Sequence, residues 1–148
     1  MKMFGTLYGW MASSKSDFTR TFRDNENLLS QANKFWGNIE SSSMIILLIS
    51  IVVGIVMAWS YYGPFNNKPG RHYRPKYWVI FMLLVGILTL LLTLGFECLV
   101  YPPQLQGAFV LELKIALINA IYSIGIYLLV SFIWCNMFPT NACRILKF

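Results

Sequence analysis

The sequence predicts an all-α integral membrane protein: three transmembrane helices preceded by an N-terminal amphipathic helix. Three observations carry this expectation. The 148 residues are 57% hydrophobic and only 12% charged, where a soluble domain carries about 25% charged residues. Three long apolar runs are each close to the roughly 20 residues a spanning helix needs. Aromatic and proline residues then punctuate the ends of those runs. Few charges together with 16% aromatics also exclude intrinsic disorder.

The first span is expected over 44–62, MIILLISIVVGIVMAWSYY, which has no charge. The second, over 77–101, carries a single charge, Glu97, near its end. The third, over 115–138, is uncharged. Trp59, Tyr61 and Tyr62 close the first span, and Tyr77, Trp78 and Tyr101 bracket the second. Trp134 and Phe138 close the third. Tyr and Trp favour the headgroup zone, where an amphipathic ring is half wet. Pro64, Pro75, Pro102, Pro103 and Pro139 sit just outside the runs, where a missing N–H does least harm. The chain thus divides into a tail at 1–43, a three-span domain at 44–138 and a short basic tail at 139–148. No cleaved signal is expected, because the first apolar run has no small-residue cleavage site after it. No myristoylation start or prenylation box is present either.

The N-terminal tail has a pattern of its own. Met3, Phe4, Leu7, Tyr8 and Met11 share a helical face, with Trp10 beside it, as in a helix lying in the membrane interface. Ser14 and Asp17 form a capping-box-like start. From there Phe18, Phe22, Asn25, Leu29, Ala32, Trp36 and Ile39 alternate spacings of four and three. That is the seam of a helix packed on other helices, with Asn25 as a register-fixing polar residue. A helix lying on the membrane surface fits the pattern as the alternative. Ser41, Ser42 and Ser43 are expected to bend the chain before the first span.

Inside the bilayer, small residues and interhelical hydrogen bonds hold helices together. The first span offers Ser50, Gly54 and Ala58, and the second offers Gly86, Thr89, Thr93 and Glu97. The third offers Ala116, Asn119, Ser123, Tyr127 and Ser131. Three spans are expected to bury these faces poorly against only each other, which points to a larger bundle built from copies of the chain or from other subunits. Thr89 and Thr93 are expected to bond carbonyls one turn back. Asn119 is expected to bond another helix or line a pore. Glu97 is an ionisable group inside a span, and so a candidate functional residue. It either pairs with Lys114 or, with Thr93 and Asn119, faces a pore. Glu112 reads as a plain interfacial charge.

The loop Asn66–Trp78 interleaves Lys68, Arg71, Arg74 and Lys76 with His72, Tyr73, Tyr77 and Trp78. Anionic lipid headgroups are the favoured ligand of such a segment, with a nucleotide or nucleic acid as the weaker alternative. This loop and the C-terminal Arg144 and Lys147 outweigh the bases flanking the other span ends. The positive-inside rule therefore places the first loop and C-terminus in the cytoplasm and the N-terminus outside. Cys98, Cys135 and Cys143 read as unpaired, since no metal-type spacing is present and Cys98 is a bilayer away from the others.

No catalytic, metal or phosphate-loop motif is present, so no enzyme activity, metal or cofactor is expected. No internal repeat suggests a transporter built from inverted halves. The size and three-span layout resemble those of some phage holins, although the charged C-terminal tail usual there is missing. The favoured function is a small scaffold or accessory subunit of a larger oligomeric membrane complex. A homo-oligomeric pore or channel-like effector is the alternative.

Overall fold

The computed structural model describes residues 3–9, 14–66, 75–102 and 104–138. Its elements are α1 (Met3–Tyr8), α2 (Lys15–Arg20), α3 (Glu26–Ser60), a π-helical turn (Tyr61–Phe65), α4 (Pro75–Val100) and α5 (Ala108–Met137). No strand occurs among the described residues. Three helices are long and apolar enough to cross a membrane, as the sequence predicts.

Local chemistry explains where the helices start and stop. Ser14 caps α2, its side chain accepting from the Asp17 N–H at 3.2 Å. Asn25 caps α3, its Oδ1 accepting from the N–H groups of Asn27 and Leu28 at 3.1 and 3.3 Å. Asn25 is therefore not the seam residue that the spacing suggested. The chain turns over Thr21–Asn25 because an Asn side chain stabilises a helix start more than a helix interior. The expected bend at Ser41–Ser43 is also absent, and α3 runs through it for 35 residues. Ser41 donates back to the Asn38 carbonyl at 2.8 Å, and Ser42 bonds Tyr101. With those hydroxyls occupied, nothing competes with the helix. At 1.5 Å per residue α3 is about 52 Å long, well beyond the roughly 30 Å hydrocarbon core. Pro75 opens α4 at the one helical position that needs no N–H. Gly107, at φ +81°, turns the chain into α5.

The chain forms two compact units, to each of which α3, α4 and α5 contribute a stretch. The first comprises Met1–Leu48 and Leu90–Asn119. In it α1 packs on α3, with Phe4 at 5.5 Å from Trp36, edge to face. Phe18 of α2 meets Phe35 and Trp36 at 5.9 and 6.0 Å. Phe4, Tyr8, Phe18, Phe22, Ala32, Trp36 and Ile39 are all buried. The alternating apolar pattern is thus satisfied within the chain. Its residues lie on α1, α2, the Thr21–Asn25 turn and the first half of α3, not on one helix.

The second unit comprises Ile49–Thr89 and Ala120–Phe148. Val53, Ala58, Val85 and Tyr127 form its core. Tyr61 and Tyr62 are buried among Phe65, Tyr77, Trp78, Phe81 and Trp134. Tyr61 lies 5.2 Å from Phe81, and Tyr62 stacks on Trp134 at 5.9 Å. The aromatic residues expected as separate interfacial anchors are therefore mostly packed on one another. Asn66 closes the π turn, donating through Nδ2 to the Tyr61 carbonyl at 2.8 Å.

Gly54 marks the closest helix approach in this unit. A Cβ there would stand 2.9 Å from Ile126 Cγ2 and 3.0 Å from the Ser123 carbonyl oxygen. At Gly86 it would meet only the tip of Ile124, at 3.1 Å, and at Gly125 nothing within 4 Å. Gly54→Ala should therefore cost about 1–3 kcal/mol by overpacking. Gly86→Ala should cost less, and Gly125→Ala nothing. Thermal unfolding of the three variants in lipid nanodiscs checks this order.

Candidate functional site

A column of polar side chains runs inside the first unit. Its centre is Asn119 of α5, which is fully buried. Asn119 Nδ2 donates to the Ile46 carbonyl of α3 at 2.7 Å and to Thr93 Oγ1 of α4 at 2.8 Å. Its Oδ1 accepts a long bond from the Tyr8 hydroxyl at 3.5 Å. The Ile46 carbonyl can only accept, so the amide nitrogen must face it. One side chain thus ties together segments of four helices.

The column continues along α4 at four-residue steps through Thr93, Glu97 and Tyr101. Glu97 is fully buried, and neither carboxylate oxygen has a hydrogen-bond partner. It forms no ion pair with Lys114, which is half-exposed on α5. The carboxylate within its Coulomb reach is instead Glu112. Glu112 is fully buried too, which corrects its assignment as a plain interfacial charge. Its Oε2 accepts from Cys98 Sγ–H at 3.4 Å, and its Oε1 has no partner. The α5 stripe, extended back from Ala116 by one further four-residue step, would have placed Glu112 on the inner face. At the end of the column, the Ser42 and Tyr101 hydroxyls lie 2.5 Å apart. Tyr101 also lines a cleft of about 390 Å³ with Gln31, Lys34, Asn38 and Gln104.

The small-residue faces are buried as well. Ser50, Gly54 and Ala58 are inside the second unit, where Gly54 and half-buried Gly86 both approach α5. Ser123, Tyr127 and Ser131 are fully buried. Thr89 is buried without a hydrogen-bond partner, so it does not make the expected bond to a carbonyl one turn back. Of the basic loop, Lys68, Arg71, His72, Tyr73 and Arg74 lie outside the described residues. Lys76 is exposed, with its ammonium 5.2 Å over the Tyr77 ring. Trp78 is half-buried, and its backbone carbonyl accepts from Tyr127 at 3.4 Å.

Cys98 is free, but Cys135 is disulfide-bonded, its partner lying outside the described residues. This corrects the expectation of three unpaired thiols. The distance argument excluded only pairings with Cys98, and a disulfide elsewhere requires no more than proximity of two cysteines. Among the described residues no three His, Cys, Asp or Glu side chains are grouped to hold a metal.

Asn119→Ala removes two short bonds and should destabilise the protein by about 1–3 kcal/mol, each such bond in a membrane being worth roughly 0.6–1.7 kcal/mol. Tyr8→Phe, which leaves both short bonds of Asn119 in place, should cost less. Lys114→Gln should change stability by less than about 0.5 kcal/mol, because Glu97 does not depend on it. Unfolding of each variant in nanodiscs gives the ranking. Comparison with known protein families, with curated proteins and with solved structures finds no match to this chain.

Proposed function

We propose that the chain is a small scaffold or accessory subunit of a larger membrane complex. The observation that supports this reading over a pore is the burial of Thr93, Glu97 and Asn119 inside a single chain. A channel between copies needs such groups at a shared axis, where they would meet ions. Here Asn119 and Thr93 spend their hydrogen-bonding capacity on each other and on α3. Beyond Pro75 and Lys76 at its start, the residues left exposed on α4 are Leu, Ile and Val, among them Leu83, Ile87 and Leu91. Such a face suits lipid and gives a partner helix little to grip. Partner contacts therefore fall to the segments outside the bilayer. Co-purification from native membranes should recover the chain with foreign subunits, and planar-bilayer recordings of the pure protein should show no conductance. A single-species ring that conducts would replace this reading with the pore.

For the threading, the basic residues around the first loop support a cytoplasmic first loop and C-terminus, with anionic lipid as the contact of Lys76 and its neighbours. One observation favours the reverse threading, namely the Cys135 disulfide, since disulfides persist in oxidising compartments. In a Cys98→Ser background, Gln104→Cys should react with an impermeant thiol reagent added outside intact cells, and Arg71→Cys should not. The opposite pattern would reverse the topology.

A further inference from the structure

Glu97 and Glu112 lack what buried carboxylates ordinarily have. Both are fully buried, and each is within Coulomb reach of the other. Glu97 Oε1, Glu97 Oε2 and Glu112 Oε1 have no hydrogen-bond partner. Among the described residues the only donor to the pair is the Cys98 thiol. Among the described residues, the titratable groups facing them are Glu97 and Cys98 from α4 and Glu112 from α5. No charged group of α1, α2 or α3 acts on either carboxylate. Two buried anions held together with one weak donor and no counter-charge among the described residues repel each other strongly. Among the described residues no positive charge acts on the pair.

We propose that Glu97 and Glu112 form a proton-binding dyad within the membrane-spanning region, loaded through the Tyr101 end of α4. A proton taken from water forms an O–H bond on one carboxylate. That removes the repulsion and supplies a donor to an oxygen that otherwise has none. A metal ion fits less well, because no third ligand is grouped with the pair among the described residues, and hard cations take six or more oxygens. The access route rests on geometry. The Tyr101 N–H donates to the Glu97 carbonyl at 2.7 Å, so the two residues are one turn apart on one helix. The Tyr101 hydroxyl meets Ser42, and Tyr101 is among the residues that line the 390 Å³ cleft. On the other side of Glu97, Asn119 holds both its short N–H bonds on fixed acceptors and carries no exchangeable charge. Loading is therefore one-sided.

Infrared spectroscopy of the full chain in phosphatidylcholine–phosphatidylglycerol nanodiscs tests the dyad. At neutral pH the wild type should show the carbonyl stretch of a protonated carboxyl, shifted in D2O. The chain has only six acidic residues, and the other four, Asp17, Asp24, Glu26 and Glu40, are exposed or half-exposed. The double variant Glu97→Gln, Glu112→Gln should lose the band, and Tyr101→Phe should slow its D2O shift several-fold. The proposal is overturned if the wild type shows no such band, if added sodium chloride at fixed pH abolishes it, or if it survives in the double variant. The wild-type spectrum and its sodium response decide the matter even if the double variant does not fold. An unchanged exchange rate in Tyr101→Phe would overturn the access route.

Discussion

The amide of Asn119 is the constraint around which the first unit is arranged. In hydrocarbon an amide has no water to fall back on, so its N–H groups must find acceptors in the protein. Asn119 finds one on α3 and one on α4. Each bond fixes the rotation of a helix about its own axis, because only one face of α4 carries Thr93. Once that face is inward, Glu97 and Tyr101 follow it at one-turn intervals. The Leu-rich side of α4 then points away from the polar column without any further instruction.

Two kinds of buried polar group result, and they differ in kind. Asn119 and Thr93 are matched donor to acceptor, and together they hold helices in register. Glu97 and Glu112 are acceptors brought together with one weak donor between them. The first arrangement stabilises on its own terms. The second leaves carboxylate oxygens without donors, the state in which a buried group calls for an explanation such as a functional role.

Much of the fold was legible in the sequence because the membrane imposes simple rules. Long apolar runs gave the spans, and the four-and-three spacing identified the buried α5 face from Ala116 to Ser131. The errors came where one residue type serves two purposes. Asn25 matched a heptad position but acts as a cap. Ser41–Ser43 looked like a helix breaker, yet serine in a long helix can return its hydroxyl to a carbonyl or to a neighbouring helix. Glu112 was judged by its nearness to a loop, although its helical phase agreed with Asn119. Of the candidate site, Glu97, Thr93 and Asn119 were visible as unusual residues in apolar runs. Their partners were not, because Tyr8, Ile46 and Ser42 come close only through tertiary folding.

The bond between Tyr8 and Asn119 joins residues 111 apart in sequence, and that separation has a consequence for biogenesis. α1 is synthesised before α5 and cannot reach its seat beside Asn119 until α5 has been made. At 5–20 residues per second the delay is roughly 5–20 s. During it Phe4, Tyr8 and Trp36 have neither Asn119 nor the completed α4–α5 core beside them. The one-sided apolar pattern of the N-terminal segment suits a nascent chain resting on the bilayer surface. The amphipathicity legible in the sequence thus describes a waiting state, and docking of α1 is a late event that reports insertion of the last helix.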